Sequence, residues 1–171
     1  ANLFYRPGIF FYHDFGVKYF RNKTTDFVVD ELNRDYLLGG RIRQKYFSLL
    51  YTFTYDKRDI KPYPLKGIYL RSKLQKEGLG IFEDRDAFFL TTTIGHYLPI
   101  SKKLNLENIA KGRLFFVREQ QAYYNSRALG FNLDFLRGYE LYIIDGNDFA
   151  YLKTSLRFEL ANRSVNFAQF M

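Results

Sequence analysis

The chain has 171 residues, of which 47% are hydrophobic, ample for a folded core and incompatible with a disordered or low-complexity polypeptide. Its net charge of +8 is dispersed along the chain instead of forming a block or one helix face, which argues against a nucleic-acid binder. No stretch approaches the roughly 18 apolar residues of a spanning helix, so a helical membrane protein is excluded as well.

Aromatic usage is far from ordinary: 15 Tyr and 19 Phe, with no Trp, make up 20% of the residues beside 26% charged ones. A transmembrane barrel uses that mixture, placing apolar residues on lipid, aromatic girdles at both interfaces and polar residues in the lumen. The lack of cysteine suits a periplasm-facing protein without disulfides and a reduced cytosolic one equally. At the amino end, Ala1-Asn2-Leu3-Phe4-Tyr5-Arg6 already reads as strand and not as a signal peptide, so a leader is expected to have been removed or to lie upstream.

Alternation with period two organises most of the chain, the signature of strands with one wet and one apolar face. A strand is expected over 8–20 and a weaker one over 27–38, where Asp30, Glu31, Arg34 and Asp35 blur the pattern. Over 41–56, Phe47, Leu49, Tyr51, Phe53 and Tyr55 share one face, with Ser48, Thr52, Thr54 and Asp56 on the other. Residues 65–78 set Ile68, Leu70 and Leu74 against Arg71, Lys73, Gln75 and Glu77, and 86–98 set Phe88, Leu90, Ile94 and Leu98 against Thr91, Thr93 and Tyr97. A sixth strand is expected over 111–121. The last, 149–160, is clearest: Leu152, Thr154, Leu156 and Phe158 oppose Tyr151, Lys153, Ser155 and Arg157. The longest irregular stretch is 122–147, and no repeat or linker divides the chain.

Catalytic chemistry has little to stand on. His13 and His96 lack metal-site spacing, and the serines lack a nucleophile elbow. No catalytic residue, metal ligand or cofactor is therefore expected.

Two motifs go beyond composition. Tyr55-Asp56-Lys57-Arg58-Asp59 is followed by Tyr63-Pro64-Leu65-Lys66-Gly67 and a fresh strand; Asp56, Arg58 and Asp59 would solvate a turn, Pro64 would fix φ and Gly67 would relieve crowding. Further on, Leu136-Arg137-Gly138-Tyr139 precedes Ile143-Ile144-Asp145-Gly146 and the last strand. In order and spacing these resemble the "D-x-R-(x)n-P-x-x-G" turn element and the "V-R-G-F/Y" loop signature of the BamA/TamA family of outer-membrane assembly factors. Leu136 stands where the family commonly has valine, and Ala128-Leu129-Gly130-Phe131 where it commonly has a glycine pair.

The resemblance implies an all-β fold: an antiparallel transmembrane β-barrel, with residues 1–171 forming about seven strands of a barrel of about sixteen. It covers most of the chain, strongest over 41–160, and would place it near the sixth to twelfth strands, as part of one barrel domain without periplasmic transport-associated domains. The chain is then expected to be a piece of the barrel, ending at Phe167-Ala168-Gln169-Phe170-Met171 before the seam and the family's acidic lumen partners. Arg137 would enter the lumen to meet such partners, with Gly138 allowing a tight bend and Tyr139 packing beside it. Implied too are bacterial outer-membrane location, insertion or translocation of unfolded outer-membrane clients, contact with lipid, and accessory periplasmic or lipoprotein subunits. The rival readings are a passive porin or receptor barrel and a soluble aromatic-rich β-sandwich that binds sugar.

Overall fold

Residues that alternate in polarity separate onto two faces when the backbone is extended, and neighbouring strands in register extend those faces across a sheet. A computed structural model, which describes residues 1–82, 84–117, 119–130, 136–139 and 141–160, shows this pattern. Its strands are β1 (Asn2–Tyr5), β2 (Phe11–Lys23), β3 (Arg43–Asp56), β4 (Gly67–Glu77), β5 (Ala87–Pro99), β6 (Leu104–Phe115), β7 (Arg127–Leu129), β8 (Ile144–Asp145) and β9 (Phe149–Phe158). Seven of them form one antiparallel sheet in the order β1-β2-β3-β4-β5-β6-β9, while β7 and β8 pair by themselves. The fold is all-β. β1 and β9 are the edges of the large sheet, which does not close on itself.

The expected count of seven strands agrees with the sheet, but its membership differs. Residues 27–38 do not form a strand: Val28–Leu32 is a π-helical turn, and Leu38, Gly39 and Gly40 follow with φ of 64, 67 and 73°, a succession no strand can contain. The seventh strand is the short edge β1. The sixth lies earlier than 111–121, because Leu104, Leu106, Ala110 and Leu114 share the apolar face while the polar and small residues between them hide the period. Among its described residues, the irregular stretch 122–147 contains a 3₁₀ turn, Tyr123–Asn125, and the β7–β8 pair.

The pairing register fixes which side chains share a face. Ser48, Thr52, Arg71, Gln75, Thr93, Glu107, Lys111 and Lys153 belong to one side, and Phe15, Leu49, Leu74, Ile94 and Leu152 to the other. Burial is inverted relative to a water-soluble sheet. On the polar side Ser48, Thr52 and Gln75 are 0, 6 and 7% exposed, whereas on the apolar side Leu152, Leu156 and Phe158 are 68, 64 and 61% exposed. A cluster of buried apolar side chains sits at one end of the polar side, where Phe89 stacks on Phe115 at 4.6 Å beside Ala87.

Connections differ between the two ends. Residues 6–10, 57–66 and 100–103 join strands at one end; 24–42, 78–86 and 116–148 join them at the other. The second end is the long-loop end.

Candidate functional site

Asp56 ends β3 and its carboxylate meets Arg58 in a forked pair: Nε donates to Oδ1 at 2.8 Å and Nη2 to Oδ2 at 2.9 Å. The guanidinium lies 4.4 Å from the centre of the Tyr69 ring, and its Nη1 donates to the Lys61 carbonyl at 3.3 Å. Hydrogen bonding to Asp56, opposed by burial, raises the Arg58 pKa above its already high ordinary value. Asp59 organises the rest of the loop, its Oδ1 accepting the backbone N–H of Ile60, Leu65 and Lys66 at 2.8, 3.1 and 3.2 Å. Burial pushes its carboxyl up, but those amides together hold it below its usual value. Pro64 is buried under this loop, and Gly67 starts β4 at φ 120°, where a Cβ would fall 2.1 Å from the Lys57 carbonyl oxygen. All five residues of the turn motif therefore belong to one hairpin connection.

The loop reaches across the polar side. Arg157 of β9 donates to the Pro64 carbonyl at 3.0 Å, lies 4.4 Å from the Tyr63 ring centre and pairs with Glu107 of β6 at 2.6 Å. Strands β5 and β6 stand between β9 and the β4 end of this loop, so Arg157 ties the far edge of the sheet to the β3–β4 connection.

At the opposite end the long 116–148 connection folds onto the same polar side. Arg113 of β6 anchors it, donating through Nε to Asn147 O at 2.6 Å and through Nη2 to Arg127 O and Gly146 O at 2.6 and 2.9 Å. Asn125 donates to Gln44 of β3 at 3.1 Å, and the Tyr123 and Tyr124 amides bond the carbonyls of Asp35 and Tyr36. A buried Glu77–Arg85 ion pair and the Tyr46 ring, 5.6 Å from the Arg85 guanidinium, complete this corner. Between loop and wall lies a cavity of about 540 Å³ whose lining includes Arg71, Lys73, Lys111, Arg113 and Arg127. Every charged residue in that lining is basic among the described residues.

The loop signature sits on this connection. Leu136 to Tyr139 form a turn closed by a 3.0 Å hydrogen bond from the Tyr139 amide to the Leu136 carbonyl, with Gly138 at φ 82°. Arg137 is exposed and makes no ion pair among the described residues. The Tyr139 ring packs edge-on against Tyr142 at 5.8 Å. Leu129 is buried and Gly130 has φ 85°, while the Phe131 of the quoted Ala128-Leu129-Gly130-Phe131 run lies outside the described residues.

The turn motif was legible from sequence, but the groups that hold the connections down were not. Arg113, Gln44, Arg157, Glu107, Glu77 and Arg85 read only as polar members of alternating strands or loops, and nothing local marks them as partners. His13 is not part of this polar site: on the apolar side its Nδ1 shares a 2.9 Å hydrogen bond with the Tyr51 hydroxyl. His96 is also on the apolar side. The arrangement sets a polar side that holds the long connection against an exposed apolar side. No protein-family model matches this chain, and no curated protein does.

Proposed function

We propose that the chain is the wall of an outer-membrane β-barrel and that this barrel inserts or translocates other outer-membrane proteins. The observation that carries the first part is the inversion of burial, with aliphatic and aromatic side chains outward and Ser48, Thr52, Gln75 and Glu77 covered. In water, leaving Leu152, Leu156 and Phe158 exposed forfeits about 1.5–3 kcal/mol each, whereas lipid makes exposure and burial equivalent for them. Strand length is in keeping: β2 to β6 and β9 have between 10 and 14 residues, enough to cross a bilayer obliquely. The two longest connections, 24–42 and 116–148, lie at the same end, in keeping with bacterial barrels, whose longer loops are extracellular.

The second part rests on the resemblance to the BamA/TamA family through Asp56 to Gly67 and Leu136 to Tyr139. In that reading the partners are unfolded outer-membrane proteins, lipid and accessory periplasmic or lipoprotein subunits. No bond is made or broken: strand edges at a barrel seam template an incoming strand by backbone hydrogen bonding. This stretch contributes wall and folded loop, and Arg113 and Arg157 keep the polar side from collapsing or opening.

Because the sequence has no cysteine, single cysteines report without background from this stretch. In the native protein in membranes, Lys153→Cys and Ser155→Cys should react with a charged maleimide, while Leu152→Cys and Leu156→Cys should be protected until detergent is added. Equal reactivity along β9 would sink the membrane-wall reading. For the assembly role, proteoliposomes containing the protein should accelerate integration of an unfolded barrel polypeptide. Solute flux without that acceleration would identify a passive porin instead.

A further inference from the structure

On the apolar side the register sets Arg21 opposite Lys45 and Lys23 opposite Arg43, so four cations stand as two successive cross-strand pairs. Like charges directly opposite one another destabilise a sheet. Arg21, Lys23 and Arg43 are exposed, Lys45 is half-buried, and none of the four makes an ion pair among the described residues. One carboxylate close by is already engaged: Asp84 binds Arg41 at 3.2 Å and accepts the Lys45 backbone N–H at 2.7 Å. Among the described residues, no carboxylate side chain offsets this repulsion by an ion pair.

The position of the four cations along the strands indicates an external partner. The next outward-facing pair is Tyr19 opposite Phe47, with ring centres 5.2 Å apart, and Phe82 of the β4–β5 connection stacks on Phe47 at 5.8 Å. Beyond that row come Val17 opposite Leu49 and Phe15 opposite Tyr51. Toward the long-loop end, the surface passes from an apolar band through an aromatic row to four cations. A bilayer changes in the same order, from hydrocarbon through the interface to the headgroups.

We propose that Arg21, Lys23, Arg43 and Lys45 bind the phosphate of an anionic lipid headgroup at the long-loop rim, a site that rests on the membrane-wall reading. The two guanidinium groups offer planar forks to phosphate oxygens and the two ammonium groups add point charges. An anion held among them converts two repulsive pairs into four attractive contacts.

The test uses the native full-length protein in vesicles of phosphatidylcholine alone or mixed with phosphatidylglycerol. The native protein should melt at a higher temperature in the anionic vesicles, and Arg21→Gln/Arg43→Gln should abolish the difference. Loss of headgroup binding should amount to about fivefold for each cation removed. In phosphatidylcholine alone the same variant should melt above the native protein, since only repulsion has been removed. Lys102→Gln/Lys103→Gln, at the opposite end, should retain the preference for anionic vesicles.

Equal melting of the native protein in both compositions, or an unchanged preference in the Arg21→Gln/Arg43→Gln variant, overturns the proposal. So does inorganic phosphate that reproduces the stabilisation by itself, which would make this a phosphate site without lipid. Integration into both vesicle types without preference leaves the membrane wall standing and removes only the headgroup site. Failure to float with, and resist alkaline extraction from, either type overturns both.

Discussion

Asp56 and Arg58, two residues apart, meet fork to fork with both hydrogen bonds under 3 Å, and the Arg58 amide adds a third contact to Oδ1 at 3.3 Å. The carboxylate is the better shielded partner, its side chain 7% exposed against 17% for the guanidinium. Removing Arg58 therefore strands a covered charge. Arg58→Ala should cost about 2–3 kcal/mol, and Asp56→Asn, which keeps an acceptor, about 1–2 kcal/mol. Loss of heat-resistant gel mobility of the native protein in detergent reads both. Strictly additive effects in the double variant would argue against the pair as a unit.

Gly67 and Gly138 both have positive φ, yet they differ in surroundings. A Cβ at Gly67 would fall 2.1 Å from the Lys57 oxygen and 2.8 Å from the Arg58 Cα, while one at Gly138 meets nothing within 4 Å. Gly67→Ala must open the hairpin connection and should cost about 3 kcal/mol or more. Gly138→Ala should cost only the backbone strain, about 1 kcal/mol. Chemical denaturation of the folded protein ranks them, and a larger loss at Gly138 would contradict the geometry.

These two motifs show what the sequence makes legible. A wall with one lipid-like and one polar side imposes period two on every strand long enough to display it, so β3, β4, β5 and β9 could be located within a few residues. The strand at β6 slipped because Asn108, Ala110 and Gly112 weaken its apolar face. Residues 27–38 misled because Val28, Leu32 and Leu37 mimic a blurred strand, while the left-handed run from Leu38 to Gly40 is decided by backbone geometry. The turn motif was visible because its partners lie within about a dozen residues of one another in sequence. Arg113 and Asn147, or Arg157 and Pro64, are 34 and 93 residues apart, and only the sheet brings them together.

Arg113 should control the long connection. It gives three hydrogen bonds to carbonyls of that segment, each charge-assisted on the donor side. Arg113→Ala should speed trypsin cleavage after Arg127 and Arg137 by roughly 30-fold, the equivalent of about 2 kcal/mol of local opening. Arg113→Lys should recover little of it, because a point charge cannot serve three carbonyls at once. The assembly-factor reading adds a second comparison, read by cleavage after Arg127 because Arg137→Ala removes its own trypsin site: Arg137→Ala should expose the connection more than Lys153→Ala. Equal cleavage rates for those two variants would argue against a docked Arg137.

Asp59 makes the β3–β4 connection acid-sensitive. Its carboxylate accepts three backbone amides, and the net effect holds its folded pKa below the unfolded value of about 3.9. For an acid with a depressed folded pKa, the unfolded state binds the proton more readily, so the stabilisation is complete above the unfolded pKa. It is then lost as pH falls through the folded value. Hydrogen exchange of the Ile60, Leu65 and Lys66 amides, compared with that of the Leu104 amide beside the 100–103 connection, isolates the effect. Protection at the three amides should weaken as pH falls below about 4, after correction for intrinsic exchange, while the reference stays flat. Asp59→Asn should remove the pH dependence and leave those amides less protected at neutral pH. A variant that keeps the acid transition would assign it to another carboxylate.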